Sequence, residues 1–443
     1  MKYGEQAPVL VIGGGLAGSE AAWQLLRAGL SVELVEARPT LQSPAHRSLL
    51  MGELVCTNSL RSDSAHTAAG LLKAEMRRVG SLLLNVADIF RVPAGSALAV
   101  DRWAFAWRVT STLVLHPRFQ IRRHAVEKLP DGPCILATGP LTTAKLAEDL
   151  KRRVGSGLYF YDAMAPVVEA ESIDWEKVFL GARRDQDSDD YVNCPLDREQ
   201  YDLFVQELRK AKRVVAHPFE EEKYFEGCLP LEVMAQRGDD VLAFGPLRPV
   251  GLMDPSTGRR PYAVVQLRAE NEARTLYNLV GFQTRLTYGE QKRVFRMIPG
   301  LEEARFERMG SIHRNSYLDA PRIVDSRLGL VLAPHVKVAG QLAGVEGYLE
   351  SAALGQVVGL LMAAELKGVC LEPPPVSTAL GALTRHVSRP RAMQEVFSPS
   401  HITFGLMPSV KVKNKRERRV AICNRAMEDL ETWIGEVEGL GLE

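Results

Sequence analysis

The chain has 443 residues, 46% hydrophobic and 25% charged, with a formal net charge of +1. That length holds two or three domains, or one large domain with an insertion. The near-neutral balance excludes a global field that would draw the chain onto nucleic acid, although not a local basic patch. The opening MKYGEQAPVLVIGGG has one lysine and runs straight into a strand, unlike a signal peptide. No apolar run is expected to reach the ~20 residues that span a bilayer. Six cysteines (Cys56, Cys134, Cys194, Cys228, Cys370 and Cys423) are scattered without CxxC spacing. This speaks against a zinc site or a redox disulfide and for a reducing, cytoplasmic compartment.

Val9 to Ile12 form a short continuous apolar run, the mark of a strand buried in a parallel sheet. The segment Gly13, Gly14, Gly15, Leu16, Ala17, Gly18 follows as G-x-G-x-x-G and opens a helix expected from Leu16 to about Ala28, stopped by Gly29. Gly13 permits a tight turn, Gly15 lets the backbone approach a pyrophosphate, and Gly18 allows close helix–strand packing. The amides and dipole at the helix start favour phosphate. Ser31 to Val35 read as the second strand. Glu36, at its end, is placed to bond a ribose, with Arg38 beside it. A lone GxGxxG is a weak signal; here strand, turn, helix, strand and acidic residue arrive in order.

The stretch ELVCTNSLRSD, from Glu53 to Asp63, then sets one thiol, Cys56, among polar residues. It has neither the apolar neighbours of a core cysteine nor a nearby second cysteine. Further on, CILATGPL (Cys134 to Leu141) is a strand ending in Ala137, Thr138 and Gly139, a turn suited to closing over a flavin nucleotide. RRDQDSDDYVNCPLD (Arg183 to Asp197) reads as a boundary. A helix is expected over 198–212, then strands in DVLAFGPL and YAVVQLRA, with a return to the first domain around NLVGFQTRLTYGEQKRVF.

VKVAGQLAGVEGYLESAALGQVVGLLMAAEL gives a strand into Gly340, a loop with Gln341, Glu346 and Gly347, and a helix from about Tyr348. That helix start can aim amides at a flavin or its pyrophosphate. There is no second strand–GxGxxG–helix unit, so no separate nicotinamide domain is expected. LEPPPVS is a stiff connector, and KVKNKRERR (Lys411 to Arg419) packs six basic residues around Glu417. The expected class is α/β: a Rossmann-like FAD-binding domain from both chain ends (1–185 and 285–443, the latter with the basic C-terminal segment) around an inserted α+β domain (186–284).

GGGLAGSEAAWQLLRAG, CTNSLRSD, GCLPLEVMAQRG and GQLAGVEGYLESAALG together resemble the folate- and FAD-dependent tRNA (uracil-5-)-methyltransferase family, over essentially the whole chain. The first and last motifs are also similar to the larger GidA-type flavoprotein of wobble-uridine modification, for whose long C-terminal extension this chain has no room. The two cysteine motifs discriminate. The resemblance implies methylation at C5 of the T-loop uridine, position 54, in the T-arm of tRNA. It implies methylenetetrahydrofolate as carbon donor, FAD as reductant, and NADH or NADPH as the ultimate electron source.

The family pattern makes Cys56 and Cys228 catalytic. C5 of uracil is a poor nucleophile, and a thiolate adding to C6 creates an enolate-like species whose C5 attacks a one-carbon electrophile. Cys228 is assigned as the C6 nucleophile and Cys56 as the thiol beside the flavin, with the reverse division open. The expected cofactor set is Gly13 to Gly18, Glu36, Arg38, Thr138, Gly139, Gly340, Gln341, Glu346, Gly347 and Tyr348, with Glu346 and Tyr348 also open to the folate pterin. Arg61 and Asp63 are open to anchoring a folate tail, a phosphate or each other. Arg102 and Trp103 are open to holding a ligand or to packing, and His313 and Arg314 to facing substrate. The basic run suits tRNA phosphates. Cys134 and Cys370 read as structural. Competing readings are a GidA-like wobble enzyme, a small-molecule flavin oxidoreductase, and a non-catalytic flavoprotein that binds RNA.

Overall fold

The computed structural model describes residues 7–41, 45–154, 158–163, 165–183, 188–214, 229–310, 312–391, 397–439 and 441, with the backbone alone for 158–163 and 312–316. The first third of the chain gives β1 (Val9–Ile12), α1 (Leu16–Arg27), β2 (Val32–Glu36), β3 (Ser59–Ser62), α2 (Ala68–Val79) and α3 (Leu82–Ile89). It continues with β4 (Arg91–Val92), β5 (Ala97–Val100), α4 (Arg102–Val114), β6 (Phe119–Arg123), β7 (Cys134–Leu136) and α5 (Ala144–Val154). Local chemistry sets several starts: Asp101 caps α4 by accepting from the N–H groups of Trp103 and Ala104.

The middle third holds β8 (Leu158–Ala163), β9 (Val167–Glu169), β10 (Phe179–Leu180), β11 (Tyr191–Leu196), α6 (Arg198–Lys210), α7 (Leu231–Gln236) and α8 (Val241–Phe244). After these come β12 (Ala263–Ala269), β13 (Leu276–Leu279), α9 (Tyr288–Phe295), β14 (Phe306–Arg308) and β15 (Ile312–Tyr317). The last part adds α10 (Ala320–Ile323), β16 (Gly329–Leu330), β17 (Ala333–Val338), α11 (Tyr348–Leu366), α12 (Ala379–Ser388) and α13 (Lys415–Glu438).

Two six-stranded sheets organise these elements. The first has the order β16-β17-β7-β1-β2-β6 and is parallel except for the β16–β17 pair. Strand order reverses between β1 and β7, and such a reversal opens a crevice beyond the C-terminal strand ends. This is the Rossmann-like α/β architecture. The second sheet, β10-β11-β12-β13-β9-β14, is antiparallel and backed by its own core, including Tyr201, Phe204, Phe282 and Phe295.

Three expectations change. DVLAFGPL forms the short helix α8, not a strand, because Gly245 and Pro246 end the apolar run after one turn. The second sheet draws strands from 167 to 308, a wider span than 186–284. Val294 and Phe295 of α9 lie in its core, so the chain returns to the first sheet later than 285. Finally, α11 is long and apolar enough to cross a membrane, but 83% of that window is buried inside the protein. A helix apolar all round is a core helix in such a setting. It packs on α1 almost backbone to backbone: a Cβ at Gly355 would lie 2.2 Å from Ala17 O.

Candidate active site

Four parallel strands end side by side. Gly13 N–H donates to Val35 O (2.8 Å), Ala137 N–H to Ile12 O (2.8 Å) and Ala339 N–H to Leu136 O (2.9 Å). The ends of β2, β1, β7 and β17 therefore form a row, with Glu36, Gly13 to Gly18, Thr138 and Gly139, and Gly340 and Gln341 just beyond. The glycine turn is tight because a Cβ at Gly18 would sit 1.9 Å from Gly13 O. At Gly15 the opposite holds: a Cβ would meet nothing within 4 Å, and no side chain caps the first amides of α1 at Leu16 and Ala17. An open backbone face beside uncapped helix amides is a cradle for a pyrophosphate. The residues fit a dinucleotide.

Glu36 is buried and accepts from Gly14 N–H (2.8 Å), Arg38 N–H (3.1 Å) and Arg38 Nε (2.9 Å). Burial pushes its carboxyl up, but Arg38 and the Gly14 amide outweigh this and hold it below the usual range. A carboxylate offers about four acceptor positions, so room remains for a ribose hydroxyl. The Arg38 guanidinium is engaged elsewhere: it also donates to Ser48 O, Leu50 O and Glu53 Oε2 (3.0 Å), bracing the segment that leads to Cys56.

Cys56 lies between β2 and β3. Its N–H donates to Tyr348 Oη (2.5 Å), and its Sγ is 2.8 Å from the same oxygen. Since Gly347 caps α11 and Tyr348 begins it, this contact joins the thiol to the cofactor frame. Burial above all, then Cys56, pushes the Tyr348 phenol well above its ordinary range, so it stays a neutral hydroxyl.

Three arginines grip the Cys56 loop, two of them from the second sheet. Arg308 donates to Val55 O (2.8 Å) and Cys56 O (3.2 Å). Arg268 donates to Thr57 Oγ1 (2.5 Å) and Asn58 Oδ1 (3.1 Å), while buried Asn58 donates to Val100 O and Ala269 O. Arg102 donates to Leu54 O and pairs with Glu270 at 2.7 Å. Arg268, Arg308 and Glu270 are 6%, 9% and 5% exposed. Burial, with Arg102 nearby, pushes Arg308 down to about 10, which still leaves it a cation at neutral pH. Sequence reasoning missed Arg268 and Arg308. The available signal was an arginine inside YAVVQLRA, a strand buried on both faces, where a charge demands a partner.

On the other side of Tyr348, buried Glu350 pairs with Arg61 and accepts from Ile402 N–H (3.0 Å). His401 Nδ1 donates to Glu346 O (2.7 Å), and Gln341 Nε2 to Glu346 Oε2 (2.9 Å). Arg61 and Asp63 do not pair with each other; Asp63 takes Arg77 and Arg91 instead. Buried Lys73 donates to Ser62 O (2.8 Å), and burial lowers its ammonium to about 8. Arg102 is tied inward, whereas Trp103 is exposed. Burial pushes the Cys134 thiol up to about 12. Cys370, expected in a packed setting, is exposed just beyond the end of α11.

Cys228 lies outside the described residues. Three residues after it, Leu231 N–H anchors to Gln283 O (2.8 Å), beside the second core. His313 and Arg314 stand on β15, paired in register with Asp162 and Tyr161 of β8. The basic run is exposed at Lys411, Lys413, Lys415, Arg416, Arg418 and Arg419. It is not remote from the site: Arg419 stacks over Phe404 at 5.9 Å, two residues after Ile402, and Cys423 donates to Ala65 O at 3.5 Å.

The family model described as glucose inhibited division protein A matches residues 8–370. The chain is 54% identical over 437 residues to the methylenetetrahydrofolate--tRNA-(uracil-5-)-methyltransferase TrmFO of Moorella thermoacetica, covering 97% of this chain and 99% of that protein. It is 52% identical to the protein of the same name from Myxococcus xanthus, over 96% and 94% of the two chains. The chain belongs to the TrmFO family. Among solved structures, Aquifex aeolicus GidA in its form II crystal superposes with a TM-score of 0.71 at 16% identity, over 99% of this chain and 74% of that one. The chain therefore shares a fold with GidA at a distance, while its close sequence likeness is to TrmFO proteins.

Proposed function

We infer that this chain methylates C5 of a tRNA uridine, the T-loop uridine at position 54, taking carbon from methylenetetrahydrofolate and electrons from FAD reduced by NADH or NADPH. The observation that carries the reading is Cys56, a thiol in a polar, arginine-gripped loop that touches Tyr348 at the edge of a dinucleotide frame. The 54% identity to a TrmFO protein supports giving that thiol a task in the chemistry.

In this reading Gly13 to Gly18 and Glu36 hold the FAD pyrophosphate and ribose, and the Thr138–Gly139 and Gly340–Tyr348 turns close over the rest. Bound there, FAD supplies the two electrons that turn a methylene into a methyl group. Cys228 attacks C6 of the uracil, the electron pair moves through C5 onto the methylene carbon of the folate, and one C–N bond of that methylene breaks as the C5–carbon bond forms. Loss of the C5 proton then expels the other folate nitrogen, releasing tetrahydrofolate and leaving an exocyclic methylene for reduction. Cys56, beside the cofactor, takes the C5 proton. The thiol at C6 leaves once the methyl group is formed. Arg102, Arg268 and Arg308 hold the Cys56 loop in place, and the exposed basic run tracks tRNA phosphates. We take 167–308 as the inserted unit and a cytoplasmic location as fitting a tRNA and reduced-folate chemistry.

The experiment is isotopic. Label in the methylene group of the folate should appear in the methyl group of tRNA ribothymidine, and only with a flavin reductant. Label arriving from S-adenosylmethionine instead would sink the reading.

A further inference from the structure

We propose that Arg102, Arg268 and Arg308, with the Tyr348 hydroxyl, form an anion cradle that keeps Cys56 as a thiolate at neutral pH. This rests on the reading of Cys56 as a reacting thiol and specifies how its reactive form is held. The three arginines act as positioning residues.

The hydrogen bonds set the direction of the Tyr348 proton. Tyr348 Oη already receives the N–H groups of Cys56 (2.5 Å) and Thr57 (3.4 Å). A phenol oxygen has two lone pairs and one hydrogen. With both lone pairs taken, the remaining hydrogen points along the 2.8 Å contact to Cys56 Sγ. The sulfur is therefore the acceptor, the role a thiolate fills far better than a thiol.

Charge points the same way. Among the described residues, the groups facing Cys56 include Tyr348 from α11, Arg102 from α4, Arg268 and Glu270 from β12, and Arg308 from β14. Electrostatic coupling links each arginine to Cys56. Among the described residues, three guanidinium groups stand against one carboxylate, an excess of positive charge where burial makes it costly. Arg308 Nε, moreover, has no hydrogen-bond partner among the described residues. A thiolate at Cys56 offsets part of that excess. Each loop residue from Leu54 to Asn58 is tied to an arginine, so the sulfur cannot easily swing away from them.

The test follows iodoacetamide labelling of Cys56 in the FAD-bound protein across a pH series, read on the Cys56 peptide by mass spectrometry. Because arginine neighbours depress thiol titration, the rate profile should have its midpoint below about pH 7, at least about 1.5 units under the ordinary thiol value of about 8.5. The thiolate fraction near pH 6.5 is then at least about twentyfold higher than in N-acetylcysteine. Arg308→Gln, Arg102→Gln and Tyr348→Phe should each move the midpoint upward, and Arg308→Lys should keep it low. Retained FAD and an unchanged melting temperature identify variants that fold. A wild-type midpoint above about pH 7 overturns the proposal, as does a midpoint indifferent to all three of the Gln and Phe variants. Loss of methylation in Cys56→Ala beside an ordinary midpoint would defeat the cradle and spare the functional reading. A low midpoint with full activity in Cys56→Ala would do the reverse.

Discussion

Gly355→Ala is a one-carbon perturbation far from any reacting atom, yet it should reach the cofactor. The added Cβ would lie 2.2 Å from Ala17 O and 2.8 Å from Ala17 C. Ordinary contact begins near 3.4 Å, so α1 and α11 must separate by roughly 1 Å in a core that does not yield freely. Overpacking of this kind costs about 1–3 kcal/mol. Ala17 sits in the first turn of α1, two residues after Gly15, so the displacement falls on the amides to which we assign the pyrophosphate. The variant should melt a few degrees lower and purify with less than half the FAD of the wild type, with added FAD restoring only part of the difference. Gly435→Ala is the control: a Cβ there meets nothing within 4 Å in α13. It should be neutral or stabilising by up to about 1 kcal/mol. If Gly355→Ala keeps full flavin and the wild-type melting temperature, the helix contact does not set the turn and the reasoning fails.

Gly15→Val should fold but remain colourless, since its side chain enters only the open cradle; a yellow variant would place the pyrophosphate elsewhere. Cys56→Ala and Cys228→Ala should each lose methylation while retaining FAD, and full activity in either would release that thiol from the chemistry. Charge reversal at Lys413, Lys415 and Arg416 should weaken tRNA binding and lower the salt slope by about two to three; an unchanged slope would return the run to a solvated face. Glu75 is buried and accepts the first amides of α12 at Ala379 and Leu380, and burial raises its carboxyl from 4.5 to about 8. Its folded value is the higher one, so the stability it gives is full below about 4.5 and is lost as pH rises towards 8. Melting temperatures of wild type and Glu75→Gln should therefore diverge across that window in favour of the variant; parallel curves would contradict the burial argument.

The glycine turn and its strands were legible because each step is a local steric demand: Gly18 against Gly13 O is settled within six residues. The row of strand ends was legible for a similar reason, since apolar runs stopping at Ala137 and Ala339 carry their own punctuation. Arg268 and Arg308 were not, because what they hold lies more than 200 residues earlier and only pairing within the second sheet brings them there. The limits of that sheet were hidden likewise. β9 and β14 are three-residue partners with no pattern of their own, joined across about 140 residues of chain. DVLAFGPL misled because four apolar residues fit one helical turn as well as a strand.

The first sheet takes β1 and β2 from the start of the chain, β6 and β7 a hundred residues on, and β17 only after 333. The segment around Phe397 to Ile402 then closes against Gly344, Glu346 and Glu350. During synthesis the cofactor frame therefore stays unfinished until about nine-tenths of the polypeptide has left the ribosome. The second sheet, whose strands all fall between 167 and 308, can assemble well before that. Such long-range parallel pairing forms slowly and leaves apolar edges open meanwhile. A ribosome stalled near residue 350, with residue 308 already clear of the exit tunnel, should carry a protease-resistant inserted unit on a nascent chain that cannot yet retain flavin.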